Sequence, residues 1–427
     1  MGLHDNQVRL FVVPLIALLI SLSFAVQLQA REPYASTYQV RAVAPFVISD
    51  VNVFLGDGGE LLDTRVWVKD GRILALGEAT PEGRYIHVEG NGRWLTPGLI
   101  DVHSHLGDYP APAIASTRDG NESTAPNTAR VWAEHSVWPQ DPQFELALAG
   151  GVTTLQVLPG SANLFGGRGV TLKNVPSRTV QGMKFPGARH GLKMACGENP
   201  KRVYGARLLA PSTRMGNVTG YREAWAAATD YRRKLKEHAA DATKPKPDRD
   251  LTLDTLVGVL EGDIIVHNHC YRADEMAYMI DVAAEFGYRI GTFHHAVESY
   301  KVADLLAREG ICSAMWADWW GGKLEQFDSV QQNIALVHKA GACAVVHSDS
   351  ARGIQRLNQE AAKAMTAGRR MGVEISEGEA IGWVTLNAAK SLGIDAETGS
   401  IAVGKRPTWC SGTVTRSVSM RARIRCI

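Results

Sequence analysis

From Val47 to Val88 apolar and polar positions alternate in short runs: FVISDVNVFLGDGG, TRVWVKDGRILALGE and RYIHVEGNGRWLTPG. A period of two with turn signals at GDGG, KDGR and EGNG predicts β-hairpins, hence a small β module ahead of the main domain. After Pro97-Gly98 the pattern changes. Eight short apolar runs follow: LIDVHSH, GVTTLQVL, GVTLKN, GLKMACG, DIIVHNHC, YRIGTFHH, ICSAMWAD and ACAVVHSDS. Amphipathic stretches such as RADEMAYMIDVAAEFG and YKVADLLAREG separate them. Eight strands in about 250 residues predict an α/β fold, a (β/α)8 TIM barrel whose sites lie at the C-terminal strand ends. A doubly wound sheet is the competing arrangement, but neither GxGxxG nor GxxxxGK[ST] is present to mark a nucleotide site. The segment 232–250, RRKLKEHAADATKPKPDRD, reads as a charged solvent loop.

Both ends fall outside this pattern. Leu10 to Val26 is a nearly unbroken apolar run, with small residues at Ala25 and Ala30. It reads as a secretory signal over residues 1–30, the alternative being a retained membrane anchor, and places the protein in the periplasm or outside the cell. At the other end, residues 407–427 lose the alternation and hold no acidic residue. Back-translated and shifted by one base, this tail permits ADLVLWNRDPFSVYARADQVY, which regains a strand-like alternation. Residues 407–427 are therefore read as a frameshifted tail, against the alternative of a divergent basic terminus. The domains expected between the ends are a β part over 31–96, the barrel over 97–390 and a C-terminal β part starting at 391–406.

Composition narrows the class. The chain has 427 residues, 45% hydrophobic and 21% charged, which is globular. Lys+Arg 46 against Asp+Glu 44 is too balanced for a nucleic-acid partner. The tail alone contributes four arginines, so the remainder is mildly acidic. Six cysteines without a CxxC do not read as a disulfide scaffold. No segment after the leader is long and apolar enough to span a bilayer. The features are compatible with a homo-oligomer.

The histidines carry the chemistry. His103 and His105, two apart on the first barrel strand, project to one face and can share an ion. His267 and His269 close the fifth strand, His294 and His295 the sixth, and His347 with Asp349 the eighth. Imidazoles and a carboxylate converging on one barrel mouth suit Zn²⁺ or another divalent metal.

TPGLIDVHSH, GVTTLQV, HCYRADE, HHAVESYKVAD, VVHSDS, TLNAAKSLGI and TGSIAVGK together resemble the imidazolonepropionase-like branch of the metal-dependent amidohydrolase superfamily. The likeness runs from about Val47 to Lys405. It implies a β-sandwich built from both chain ends and one or two divalent ions. His103, His105, His269, His295 and Asp349 match the family's metal ligands. His295 is chosen over His294 by the HxxE pattern with Glu298, since His294 faces the other way unless the strand has ended. For strand four the resemblance offers Lys193, N6-carboxylated in some members to bridge two metals, with Glu198 as the alternative ligand.

A metal held by neutral imidazoles lowers the pKa of bound water towards about 7. Asp349 then serves as general base and acid, and the expected reaction is hydrolysis of an amide, peptide-like or cyclic amide C–N bond in a small molecule. The alternatives are a metal-dependent phosphoesterase on the same barrel and an inactive product of the frameshift. Arg202, Tyr204 and Arg272 follow site strands and are candidates for holding a substrate carboxylate. Gly160 to Gly169 is a glycine-rich candidate for the mouth, and Trp316 to Trp320 a candidate apolar wall.

Overall fold

A computed structural model describes residues 34–40, 42–412 and 425–426. The leader and most of the tail lie outside the described residues. Residues 36–427 group as one unit. Four strands begin it: β1 Phe46–Phe54, β2 Glu60–Lys69, β3 Arg72–Leu76 and β4 Ile86–Pro97. β13 Trp409–Gly412 and β14 Arg425–Cys426 join them in a six-stranded sheet ordered β14-β13-β4-β1-β2-β3. A sandwich of two facing sheets is thus not seen among the described residues; the chain ends share a single sheet. Its apolar side gathers Ile48, Val51, Val53, Val66, Ile73, Leu95, Ile401 and Trp409. Trp409 is the surprise, since it lies within the stretch read as aberrant. It lies opposite Pro97 in an antiparallel ladder with β4 and is buried against Phe46, ring centroids 6.0 Å apart.

All eight expected barrel strands form: β5 Leu99–Ser104, β6 Val152–Val157, β7 Phe165–Lys173, β8 His190–Ala195, β9 Ile264–His269, β10 Ile290–His294, β11 Cys312–Met315 and β12 Cys343–Val346. They lie side by side in sequence order. The seam between β12 and β5 is tied by Asp349 N–H donating to the His103 carbonyl at 3.0 Å. One strand departs from the all-parallel expectation. β7 runs antiparallel to both β6 and β8. The connection from Val157 to Phe165 is too short for the helical crossover a parallel neighbour requires, so the chain returns as a hairpin. Gly160 lies in that connection, and the later glycines of the GSANLFGGRG stretch lie inside β7, with Gly167 at φ +123°.

Ten α-helices lie among the described residues: α1 Gln143–Ala149, α2 Glu198–Gly205, α3 Arg214–Ala240, α4 Leu251–Leu260, α5 Ala273–Phe286, α6 Ala303–Glu309, α7 Asn333–Lys339, α8 Leu357–Arg370, α9 Glu377–Gly382 and α10 Leu386–Leu392. α3 corrects the loop expected over 232–250, since helix continues to Ala240. Ion pairs one turn apart, Arg233 with Asp230 and Glu237 and Lys234 with Asp230, suit a solvated helical face. α3 seats Tyr221, Trp225 and Ala228 against the barrel, and Trp225 stacks on Tyr288 at 4.3 Å between ring centroids. No helix among the described residues is long and apolar enough to cross a membrane.

The cysteines also depart from the reading of the sequence. Cys196 is bridged to Cys270 and Cys312 to Cys343, and none of the described cysteines is free. Each bridge links adjacent strands or strand ends, so separations of 74 and 31 residues concealed proximity that the barrel creates.

Candidate metal centre

The C-terminal ends of the barrel strands bring together His103, His105, Lys193, His267, His269, His294, His295, His347 and Asp349. Each arrives for a local reason. β5 alternates, so His103 and His105 share the inner face. β8 runs beside β9 with Lys193 opposite His267. β10 ends at His294, and His295 then takes φ +58°, a left-handed value uncommon outside glycine. That turn lets both adjacent histidines enter the interior, which a continuing strand would forbid. Asp349 adopts φ +50° just after β12 in the same way.

Two groups in this cluster, His103 with His105 and Asp349 and His103 with His294 and His347, each have ligand atoms that all lie within 4.8 Å of one another. Asp349 Oδ1 is 3.1 Å from His105 Nε2 and 3.6 Å from His103 Nε2, and Oδ2 is 3.7 Å from His295 Nε2. Lys193 Nζ, buried at 1% exposure, lies 3.2 Å from His103 Nε2. The predicted strand-four residue is thus inside the cluster. Glu198 instead opens α2, and its charge acts on Lys323. His269 stands beside His295, ring centroids 4.8 Å apart. Its Nδ1 is buried without a hydrogen-bond partner, as is His347 Nδ1. Buried ring nitrogens without a hydrogen-bond partner among the described residues fit a site able to take a cation.

Outer contacts fix the ligands. The Leu158 carbonyl lies 2.8 Å from His105 Nδ1, so it holds that proton and frees Nε2 to face Asp349. His103 Nδ1 meets His294 Nδ1 at 3.0 Å, His294 Nε2 meets His267 Nδ1 at 2.9 Å, and His267 Nε2 meets the Gln156 amide at 3.2 Å. His347 Nε2 lies 2.8 Å from His295 Nδ1. Asp101 accepts from the backbone N–H groups of His103 and Ser348, each at 3.2 Å, and from the Ser348 hydroxyl. Trp316 stacks on His295 at 4.5 Å and donates its indole N–H to the Ser348 carbonyl at 3.1 Å. The expected aromatic wall therefore includes a direct partner of the cluster.

Burial dominates the electrostatics. It pushes His103, His269, His294 and His295 well below the ordinary histidine value, His267 to about 3 and His347 to about 4. Neutral imidazoles are the metal-binding form. Burial also lowers Lys193 to about 7. For Asp349 burial acts upward, but the adjacent His105, Lys193 and His347 outweigh it and keep the carboxylate below its ordinary value.

Of the three candidates for substrate binding, Tyr204 and Arg272 are engaged by other partners. Tyr204 is buried, donating to the Ala125 carbonyl and lying 2.6 Å from Asn163 Oδ1. Arg272 makes a two-pronged pair with Asp274 at the start of α5. Arg202 is exposed on α2. The sequence reading missed Asp101, Gln156, Asn199 and Lys323. Asp101 had a signal in the LIDVHSH run; Lys323 follows a loop without any periodic pattern.

Known proteins give the same picture. The amidohydrolase family profile matches residues 94–408. Amidohydrolase tasK of Hapsidospora irregularis is 31% identical over 345 residues, covering 76% of this chain and 34% of that protein. The chain thus spans about a third of that relative's length. Imidazolonepropionase of Rhizobium rhizogenes is 22% identical over 415 residues, covering 86% and 91%. An amidohydrolase structure from Thermotoga maritima superposes with TM-score 0.82 at 32% identity, over 90% of this chain and 97% of that one. The chain belongs to the amidohydrolase family.

Proposed function

We propose that the protein is an exported, metal-dependent amidohydrolase that cleaves an amide, dipeptide-like or cyclic amide C–N bond in a small molecule. The observation that carries this is Asp349, held at once against His105, His103 and His295 in a buried cluster of neutral imidazoles. In this reading His103, His105 and Asp349 hold one divalent ion. His269 and His295 would be available to a second, and Lys193, once carboxylated by CO₂ on its neutral amine, would add an anionic ligand. Bound there, Zn²⁺ or a similar cation supplies an activated water at neutral pH and polarises the scissile carbonyl. Asp349 takes the water proton on one carboxylate oxygen and passes it to the leaving nitrogen. Lys193 beside His103, with no carboxylate within 4.0 Å among the described residues, supports addition of CO₂ to its amine, which turns it into an anionic ligand.

Export rests on the apolar run from Leu10 to Val26, and the absence of free cysteines among the described residues supports an oxidising compartment. A substrate in the cell envelope, such as a dipeptide or other N-acyl compound, suits that location. The test combines metal analysis of the purified full chain with hydrolysis of N-acyl amino acids, dipeptides and aryl phosphates. We expect one or two equivalents of metal and turnover of the amides only. Asp349→Asn should lose at least about 10²-fold in turnover while keeping part of its metal. A fully active Asp349→Asn enzyme refutes the assignment.

A further inference from the structure

Beside the metal cluster stands a cation that the proposed reaction does not use. Lys323 lies in the loop following β11, and its half-buried Nζ donates to Asn199 Oδ1 at 2.8 Å and to the Tyr271 hydroxyl at 3.3 Å. Both partners are neutral and both touch the centre. Asn199 Nδ2 reaches His269 Nε2 at 3.3 Å and Ser161 Oγ at 2.8 Å. The Tyr271 ring packs on His269 at 4.7 Å. The ammonium also lies 5.1 Å from the Tyr271 ring centre. No ion pair closer than 4.0 Å among the described residues involves Lys323, whereas the partly buried Arg214 pairs with Glu275 and Glu325 and Arg232 with Glu261. The charges acting on it from farther away are Glu198, Glu325 and Asp349, with Arg202 opposing. An ammonium drawn partly out of water and given only neutral partners has desolvation to recover, and an arriving anion supplies it.

We infer that Lys323, seated on Asn199 and Tyr271, binds a carboxylate of the substrate, so that the enzyme selects N-acyl amino acids or dipeptides with a free C-terminal carboxylate. The inference rests on the C–N hydrolase reading of the same site and adds the charge class of its substrate. Lys323 is a specificity residue here: its Nζ pairs with a remote carboxylate, while Asp349 and the metal ligands handle the scissile bond. Asn199 Oδ1 fixes the ammonium on one side, and its amide group couples that position to His269. Arg202, on the exposed face of α2, adds positive potential to the approach. The sequence pointed to a carboxylate site through Arg202, Tyr204 and Arg272; the structure moves that role to a residue from another loop.

The test uses the metal-loaded full chain and matched pairs: N-acetyl amino acids and dipeptides against the same compounds with a C-terminal carboxamide. The scissile bond and side chain are common to each pair; only the negative charge differs. We expect kcat/KM for the acids to exceed that for the amides by roughly 10- to 100-fold, mainly through KM. Lys323→Met should bring the ratio near one, and Lys323→Arg should keep part of it. Amides cleaved as well as acids by the native enzyme, or a preference surviving in Lys323→Met, overturn the assignment. A second arm titrates the same pairs into the Asp349→Asn protein by calorimetry. Acid-selective binding in this arm, with no hydrolysis of any compound by the native enzyme, would reject the C–N reading and keep Lys323 as the carboxylate site. No acid–amide difference in either arm rejects Lys323.

Discussion

Replacing Asp101 by alanine removes the acceptor at the centre of three buried hydrogen bonds. Its carboxyl is fully buried and takes the N–H groups of His103 and Ser348 and the Ser348 hydroxyl. Burial raises its pKa to about 7 against the pull of those same bonds. Alanine leaves three donors without an acceptor, at roughly 1 to 3 kcal/mol each, so the loss should reach at least about 3 kcal/mol. Asparagine keeps an oxygen for the two backbone donors and can donate to the Ser348 hydroxyl, so its cost should stay near about 1 kcal/mol. The two backbone donors belong to His103 and to the neighbour of Asp349, and Asp349 N–H itself donates to the His103 carbonyl. The substitution therefore loosens two candidate ligands together. Outer partners of this kind typically control metal affinity by roughly 10- to 100-fold. Urea denaturation of the metal-free protein measures the first effect, and competition with a chelator measures the second. Asp101→Ala with stability within about 1 kcal/mol of the parent and unchanged metal affinity would refute the reasoning.

Two more outcomes follow from the buried groups. Burial lowers His190 to about 4, His267 to about 3 and His347 to about 4, below the ordinary 6.5. The unfolded chain binds protons there that the folded chain refuses, so stability is complete above pH 6.5 and falls as pH drops toward 4. Each histidine contributes a slope of about 1.4 kcal/mol per pH unit in that window. The urea midpoint of metal-free protein should drop between pH 6.5 and 5; a flat midpoint contradicts neutral burial. Replacing Cys196 and Cys270 together by alanine opens a crosslink spanning 74 residues and should cost about 2–5 kcal/mol, read from thermal or urea unfolding. Thiols detected in denatured, unreduced protein would show that the bridge does not form.

The strands and the first tier of site residues were legible because period-two apolar runs end in His or Asp at comparable points. His103, His105, His269, His295 and Asp349 follow from position on a strand and from family motifs. Other features depend on geometry that no local pattern encodes. β7 reads like its neighbours, and only the length of the connection before it reverses its direction. Tyr204 and Arg272 look like site residues because they follow site strands, yet one is consumed by loop carbonyls and the other by Asp274. Lys323 could not be found by spacing, since its role depends on Asn199 and Tyr271 arriving from two other strand ends. The disulfides likewise needed the barrel to bring distant cysteines to adjacent strands.

The linked rings of His103, His294 and His267 give the centre a built-in direction. A neutral imidazole offers one donor and one acceptor, so the proton position on the first ring dictates those on the next two. With His103 Nε2 given to a cation, its proton would sit on Nδ1 and be donated to His294; His294 would then donate to His267, and His267 to the Gln156 amide oxygen. Gln156 Oε1, which has no partner of its own, is available for this once the amide turns over. All protons then point from the mouth toward the barrel interior. Without the cation the same row of rings can run in either sense. Loading the mouth would thus select one of two otherwise comparable arrangements of protons, three side chains deep in the barrel.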